Sequence, residues 1–180
     1  MDGDKFKRAL GRFASGVTVV TLKTSDGQDH GMTASAFSSL SLDPPLVLVC
    51  VKVGNSTHGH LQNADGFAIN LLAEEQQGLS NRFAGGTVDA DGRWVPWPQD
   101  KDKVADLDFE RGSRSGAALL NGALACLDCS KFEAMDGGDH TIYVGRVEDI
   151  RFPEERTDNP PLVHLLAKYR KILRREERRP

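Results

Sequence analysis

The spacing of apolar and polar residues along the chain predicts more strands than helices. Near the N-terminus, four apolar residues recur at helical intervals among basic residues, which predicts a short amphipathic helix. Those four residues are Phe6, Ala9, Leu10 and Phe13. Gly16 is expected to end this helix, because glycine commonly follows the last helical residue. A β-branched run over residues 17–22 then predicts the first strand.

Turn signals and apolar runs predict a hairpin followed by a buried strand. Residues 25–28 read Ser-Asp-Gly-Gln, which predicts a turn that joins the first strand to a second one over residues 30–35. Residues 46–53 are almost continuously apolar, as expected of a strand that is buried on both faces. The first third of the chain is therefore predicted to be mostly sheet.

Polar residues after this strand predict the first of two further helices. Ser56 or Thr57 could cap a short helix over residues 58–63, because a hydroxyl can accept a hydrogen bond from the first helical turn. Residues 66–72 predict another strand. Residues 74–83 then predict a helix that ends at a pair of glycines.

The second half of the chain predicts two long strands after an unusual loop. Residues 87–110 are rich in Asp, Pro and Trp, and predict a long loop whose two tryptophans fold back onto an apolar surface. Residues 117–132 and 141–152 predict strands joined by a glycine turn. The predicted fold is mainly β, an antiparallel sheet or barrel with a few flanking helices, rather than alternating strands and helices.

The composition is that of an ordinary globular protein. The length of 180 residues favours a single domain over residues 1–180, and 39% of the residues are hydrophobic. The net charge of −3 gives no reason to expect a nucleic acid partner. No apolar run approaches the roughly 18 residues of a membrane span, and the polar start does not resemble a secretion signal. Three cysteines, an odd number, fit a reducing compartment, so a cytoplasmic protein without a membrane partner is expected.

The residues best suited to binding a cofactor lie between positions 31 and 50. Small and hydroxyl-bearing side chains at residues 33–41 lead through Asp-Pro-Pro into the apolar strand. Small side chains let a ligand approach the backbone, and hydroxyl and N–H groups can satisfy a polar or anionic ligand. Neither a G-x-G-x-x-G fingerprint nor a G-x-x-x-x-G-K-[ST] phosphate loop occurs in the chain. A plain serine-rich turn between strands is the alternative interpretation.

Two other patterns suggest a metal site or a disulfide, and neither is favoured. His58 and His60 flank a glycine, but two imidazoles without a third ligand make a poor metal site, so no metal is expected. Cys126 and Cys129 have the C-x-x-C spacing, yet residues three apart in a strand point to opposite faces. These thiols are therefore expected to be structural.

Several segments follow one another in an order that characterises a known family. They are residues 6–21, 31–41, 44–47, 52–57, 67–72, 80–85, 138–142, 145–147 and 169–170. The most distinctive are GMTASAFSSLS at residues 31–41 and Gly-Asp-His at residues 138–140. Together they resemble the flavin reductase family of FMN-binding split barrels, and the resemblance spans most of the chain.

This resemblance implies a fold, a reaction and partners. The fold would be an FMN-binding split barrel, an antiparallel Greek-key-like barrel with a few flanking helices. The protein would be a homodimer that binds flavin near the subunit interface. It would be an NAD(P)H-dependent flavin reductase, transferring hydride from NADH or NADPH to FMN, or to FAD. The reduced flavin would then pass to a partner flavin-dependent monooxygenase.

The resemblance also implies which residues hold the flavin ring. The ring and its pyrimidine edge would lie against Thr33, Ala34, Ser35, Ala36, Cys50 and Val51. Cys50 and Val51 would contribute backbone groups. Hydrogen bonds are needed at this edge because negative charge builds near N1 and the C2 oxygen when a flavin is reduced.

The phosphate end would be bound by polar residues at a helix start. Lys52, Ser56 and Thr57 are assigned to the ribityl chain and phosphate, because free N–H groups and the positive helix end favour an anion. Arg82 would add a second cation, and Phe83 would pack on the dimethylbenzene end of the ring. A helix cap for the two hydroxyls, and a solvated arginine on a helix face, are the alternative interpretations.

The same resemblance assigns His140 to the nicotinamide side and Tyr169 to the cofactor site. His140, the catalytic residue, would position the nicotinamide as a hydrogen-bond donor rather than act as a base. Tyr169 would correspond to the family's C-terminal aromatic residue near the site. An exposed turn histidine and a tyrosine that only packs the last segment are the alternatives.

Other functions stay open at this level. A flavin-binding electron carrier of the same fold would lack nicotinamide reductase activity. A split barrel that oxidises a phosphorylated pyridoxal-type substrate is a third possibility. The sequence does not separate NADH from NADPH or FMN from FAD. The tryptophan-containing loop and the basic tail from Lys168 onward depart most from the shared pattern, so that choice is expected to lie there.

Overall fold

Strands make up most of the computed structural model, which describes residues 2–98, 102–153 and 159–172. The helices are α1 (Gly3–Leu10), α2 (Ser56–Asn63) and α3 (Gln77–Phe83), with a 3₁₀ turn at Glu74–Gln76. The strands are β1 (Ser15–Gly16), β2 (Thr18–Lys23), β3 (Asp29–Ala34), β4 (Phe37–Leu42), β5 (Pro45–Lys52), β6 (Gly66–Leu71), β7 (Gly86–Val88), β8 (Trp94–Pro96), β9 (Phe109–Arg111), β10 (Ala118–Leu120), β11 (Ala125–Asp136), β12 (His140–Arg151), β13 (Val163–Leu165) and β14 (Lys168–Arg170). None of the helices among these residues is long and apolar enough to cross a membrane. Residues 173–180 of the basic tail lie outside the described residues.

Seven antiparallel strands form the main sheet, in the order β3-β2-β6-β11-β12-β5-β4. A flat sheet of this size would separate its edges by about 29 Å, at about 4.8 Å per strand. The two edge strands are nevertheless joined by only Ser35 and Ala36. The sheet must therefore curl until its edges meet, which confirms the predicted antiparallel barrel with few helices.

The main sheet is buried on both of its faces. On the inside, Phe67, Ile69 and Tyr143 pack into one apolar cluster together with β5 residues. Val20 belongs to this cluster, whereas its neighbour Val19 packs with residues of α3 and β10 on the other face. Successive side chains of a strand point to opposite faces, so one β-branched strand contributes apolar side chains to the clusters on both faces of the sheet.

The first helix is shorter and more exposed than the sequence predicts. It ends at Gly11, whose N–H group bonds to the carbonyl of Lys7, whereas Gly16 lies in β1. The prediction that Gly16 ends the helix is therefore wrong. None of the residues of α1 is buried, and Phe13 beyond its end is 79% exposed. The large apolar side chains of this helix, Phe6 and Leu10, are each more than half exposed.

The second helix is capped one residue earlier than predicted. The side chain of Asn55 accepts a hydrogen bond from the N–H group of His58 at 2.9 Å. Ser56 and Thr57 are consequently the first helical residues rather than the cap. The preceding strand is also less buried than predicted, because buried valines alternate with half-buried residues along β5.

The structure contains short strands within the predicted loop, and it breaks one of the predicted long strands into two. Within residues 87–110, β8 pairs with β7 as a hairpin, and β9 pairs with β10. Gly86 is required in this hairpin, because a Cβ there would fall 2.3 Å from the Trp94 ring. The predicted strand over residues 117–132 is broken into β10 and β11, and only β11 joins the main sheet.

The cysteines of the C-x-x-C pattern are free thiols in the described structure. Cys126 packs in a small cluster with alanines, and Cys129 packs in the barrel core. Burial, with a smaller effect of the nearby acidic groups, raises the pKa of Cys129 to about 12. The prediction of structural thiols is confirmed.

Candidate functional site

Strand β3 contacts two of the helices, α2 and α3. The Nε2 atom of His30 lies 2.9 Å from Oγ1 of Thr57 in α2. Three residues later in the same strand, the hydroxyl of Thr33 donates to the carbonyl oxygen of Ser80 in α3 at 2.6 Å. The start of α2 and the middle of α3 are therefore tied to one strand, and that strand leads directly into residues 33–36.

The start of α2 has the properties of an anion site. Asn55 accepts from the N–H group of His58, but no acceptor among the described residues takes the N–H groups of Ser56 and Thr57. The first N–H groups of a helix carry partial positive charge. With the exposed hydroxyl of Ser56, they form a set of donors of the kind that binds phosphate. The assignment of Lys52, Ser56 and Thr57 to the flavin phosphate stays a prediction.

The histidine behind this helix start is neutral at physiological pH. Burial is the main reason that the pKa of His30 falls to about 4, with contributions from the charges of His60 and Lys103. The rings of His30 and His60 are 4.7 Å apart. A neutral imidazole has one donor and one acceptor nitrogen, so His30 orients the hydroxyl of Thr57 without adding charge.

Residues 33–36 lie beside an apolar cleft at the seam of the barrel. The backbone N–H of Cys50 donates to the carbonyl of Ala36 at 3.0 Å, which brings the end of β5 to this segment. The hydroxyl of Thr18 donates to the carbonyl of Ala34 at 2.8 Å. A cleft of about 390 Å³ opens next to Ser35, with walls of apolar side chains that include Phe37. The Cys50–Ala36 hydrogen bond thus joins two of the segments predicted to face the flavin ring, and their contact with a flavin stays a prediction.

Phe83 is held in the interior against β3. A Cβ atom on Gly31 would lie 2.8 Å from Cε1 of Phe83 and 2.8 Å from the carbonyl oxygen of Val20. The phenyl ring is 2% exposed. Gly31 thus has a packing role, and the contact between Phe83 and the dimethylbenzene end of a flavin stays a prediction.

His140 lies at the same barrel end as Lys52, which is its register partner across β12 and β5. Its Nδ1 atom is 2.8 Å from the carboxylate of Asp139, and 40% of its side chain is exposed. That hydrogen bond, with the imidazole charge, lowers the pKa of Asp139. A carboxylate at Nδ1 orients the ring and leaves Nε2 as the atom that faces a ligand.

Tyr169 is anchored to the helix that supports Thr33. Its hydroxyl lies 2.8 Å from Oγ of Ser80 and donates to Oδ1 of Asn81 at 3.1 Å. The last described strand pair, β13 and β14, is thereby attached to α3. Tyr169 therefore contacts the same helix as Thr33. Contact between Tyr169 and a ligand stays a prediction.

Arg82 interacts with the tryptophan-containing loop rather than with the start of α2. Its guanidinium is paired with Asp106, donates to the carbonyl of Asp102 at 3.4 Å, and lies 4.4 Å from the Trp97 ring centroid. The residue is 8% exposed, and its Nε atom has no acceptor among the described residues. A role for Arg82 in phosphate binding stays a prediction.

Sequence reasoning missed several residues of this region. His30, Asn55 and Lys103 all contribute to it, yet none was assigned a role there. A lone histidine in a strand has no spacing signature that pairs it with a helix 27 residues later. In the described parts of the chain, His, Cys, Asp and Glu side chains form no group of three that could hold a metal.

The family resemblance is confirmed by comparison with known proteins. The family described as flavin reductase like domain matches residues 10–173. An NADH-dependent flavin reductase of a Rhodococcus species is 38% identical over 168 residues, which cover 92% of this chain and 84% of that protein. The reductase component of 4-hydroxyphenylacetate 3-monooxygenase from Thermus thermophilus is 39% identical, and the match covers 94% and 97% of the two chains.

Solved structures give the same result. The NADH:FAD oxidoreductase of Streptomyces globisporus superposes with a TM-score of 0.82 at 32% identity, over 96% of this chain and 93% of that one. The same enzyme in complex with NAD and FAD fragments gives a TM-score of 0.81. Because the family match covers most of the chain and the relatives exceed 30% identity, the protein belongs to the flavin reductase like domain family.

Proposed function

We propose that this protein is an NAD(P)H:flavin oxidoreductase that supplies reduced FMN or FAD to a partner flavin-dependent monooxygenase. Relatives of nearly the same length are named as NADH-dependent flavin reductases and as reductase components of monooxygenases. The observation that carries the proposal is the junction of β3 with α2, where His30 contacts the Thr57 hydroxyl and the Ser56 and Thr57 N–H groups have no acceptor among the described residues. The names of the relatives support a reductase rather than an electron carrier.

The side chains present fit a flavin phosphate and ring. In this proposal, Ser56 and Thr57 bind the phosphate, Lys52 adds positive charge, and residues 33–36 with the backbone of Cys50 and Val51 meet the ring. When bound, flavin supplies the two-electron acceptor that no amino-acid side chain provides. The apolar walls of the cleft beside Ser35 offer a surface on which the ring would pack away from water.

His140 acts on the nicotinamide substrate in the same proposal. Asp139 holds the imidazole through Nδ1, so the ring is oriented before the nucleotide arrives. Alignment of two bound reactants removes much of the entropic cost of their reaction, so positioning by His140 contributes to rate without proton abstraction.

A homodimer and a cytoplasmic location belong to the proposal as well. Large apolar side chains on the surface, including Phe6, Leu10 and Phe13, give a second copy an apolar surface to cover. The free thiols fit a reducing compartment. Light scattering coupled to size-exclusion chromatography measures the mass, and a monomer at micromolar concentration contradicts the dimer.

The experiment that tests the activity is a direct assay. Purified protein is mixed with NADH or NADPH and with FMN or FAD, and the absorbance near 340 nm is followed. We expect oxidation of at least one nucleotide that depends on added flavin and on the protein. If neither nucleotide is oxidised with either flavin, the proposal is wrong.

A further inference from the structure

Three cations line a second cleft, which shares no lining residue with the cleft beside Ser35. Its volume is about 470 Å³, within the range typical of small-molecule sites. Arg114 comes from the loop between β9 and β10, Lys131 from β11 and Arg146 from β12. We call this the basic cleft. Only one carboxylate, that of Asp65, is present among its described lining residues, so positive charge is in excess there although the whole chain has a net charge of −3.

The loop that carries Arg114 is held against the main sheet by a buried carboxylate. Asp128 is 1% exposed and accepts from the backbone N–H groups of Arg114 at 2.7 Å and Ser115 at 3.1 Å. It also accepts from the hydroxyl of Ser115. Gly66 in β6 makes room for this loop, because a Cβ there would lie 3.0 Å from Cβ of Ser115. The guanidinium of Arg114 therefore extends from a backbone that is fixed before any ligand arrives.

The other two cations are also held by neighbouring groups. The guanidinium of Arg146 lies 5.1 Å from the ring centroid of Phe132, which follows Lys131 at an irregularity of β11. An aromatic ring orients a guanidinium and leaves its N–H groups free to donate to a ligand. The Nζ atom of Lys131 donates to two carbonyls near the end of α2, those of residues 61 and 62, at 3.1 and 2.9 Å. An ammonium has three N–H groups, so one remains for a ligand.

The three cations have no carboxylate partner in the described parts of the chain, where every ion pair involves other residues. The carboxylate of Glu148, in the same strand as Arg146, accepts from the hydroxyl of Ser130 instead. Like charges in one cleft repel each other, and a bound anion relieves that repulsion. Because the cations come from three elements, they suit the three terminal oxygens of a phosphate monoester better than the two oxygens of a planar carboxylate.

We propose that the basic cleft binds the phosphate group of a phosphate monoester of a small polar molecule, such as a sugar phosphate. Arg114 and Arg146 donate to the phosphate oxygens, and Lys131 adds its remaining N–H group. Phe132 is the only apolar residue among the described lining residues, so the rest of the ligand is polar. The basic cleft contains none of the residues assigned to flavin or nicotinamide, and the inference does not depend on the proposed function.

Isothermal titration calorimetry of the full chain with glucose 6-phosphate at low salt tests the inference. The wild type is compared with two cleft variants and two controls: Arg114→Gln, Arg146→Gln, Arg93→Gln and Lys52→Gln. Arg93 is an exposed arginine outside the cleft, and Lys52 belongs to the proposed flavin phosphate site. We expect saturable binding to the wild type. It should be at least about 5-fold weaker in each cleft variant, which loses a charge-assisted hydrogen bond, and within about 2-fold of wild type in both controls.

Two comparison ligands sharpen the test. Glucose lacks the phosphate and succinate carries two carboxylates, so neither should bind measurably. Absence of glucose 6-phosphate binding at millimolar concentration, or equal binding of succinate, would overturn the inference. Weakening confined to Lys52→Gln would place the phosphate at the start of α2 instead, and equal weakening by Arg93→Gln would reveal a response to overall charge alone. Should Arg146→Gln fail to fold by circular dichroism, Arg114→Gln decides the question, since it keeps the backbone hydrogen bond to Asp128.

Discussion

The imidazole Nε2 of His30 lies 2.9 Å from the hydroxyl Oγ1 of Thr57, and this contact joins a barrel strand to the first turn of α2. The hydroxyl of Ser56 is near the same nitrogen, at 3.4 Å. One neutral side chain therefore sets the orientation of two hydroxyls at the positive end of a helix. The anion site depends on the barrel as much as on the helix.

Replacing His30 with alanine should weaken flavin phosphate binding. Loss of a hydrogen bond of this kind costs about 0.5–1.5 kcal/mol, so the dissociation constant of FMN should rise about 2- to 12-fold. Fluorescence titration measures it. Riboflavin, which has no phosphate, is the control ligand and should bind the variant and the wild type equally. An equal loss of affinity for both ligands would contradict a role at the phosphate.

The protonation of His30 should make the fold less stable in mild acid. Its folded pKa of about 4 lies below the usual 6.5, so between these values the unfolded chain binds more protons. The stability that depends on neutral His30 is complete above pH 6.5 and is lost as the pH falls toward 4. Urea unfolding at pH 7, 6 and 5 should show a shallower decline for His30→Gln. Identical pH profiles would argue against this coupling.

Gly31 and Gly78 should respond oppositely to substitution by alanine. At Gly31 the new Cβ would meet Phe83 and the carbonyl of Val20, both at 2.8 Å, so overpacking should cost about 1–3 kcal/mol. At Gly78, within α3, a Cβ has open space, and alanine should be neutral or stabilise by up to about 1 kcal/mol. Urea denaturation compares the two. A stable Gly31→Ala variant would mean that Phe83 moves freely.

His140→Ala should separate nucleotide use from flavin binding. If the imidazole positions the nicotinamide, the KM for NADH should rise about 5-fold, whereas the flavin dissociation constant should stay within about 2-fold of wild type. Asp139→Asn should give a smaller effect in the same direction, since it only loosens the ring. Steady-state kinetics and flavin titration measure both. Loss of flavin affinity in His140→Ala would instead place this residue at the flavin.

Local sequence patterns predicted most of the strands because turns and alternation are local properties. The hairpin of β2 and β3 was predicted from Ser-Asp-Gly-Gln alone, and its register is observed. Helix ends were predicted less well. Each of the three residues 55–57 has a side-chain oxygen that can cap a helix N-terminus. Only the extended backbone conformation of Asn55 makes that residue the cap. At the other helix, Gly16 was predicted to end α1, whereas the structure ends it at Gly11.

The strand-rich fold and the family could be predicted from the residues alone, because motif order and turn residues are local features of the chain. Which residues meet depends instead on how the chain folds in three dimensions. The curl of the barrel brings His30 to Thr57 and Thr33 to Ser80, pairs that lie 27 and 47 residues apart. The folded chain also brings the guanidinium of Arg82 to within 4.4 Å of the Trp97 ring centroid. No helical or strand period encodes such distances, since they depend on how a seven-stranded sheet closes on itself.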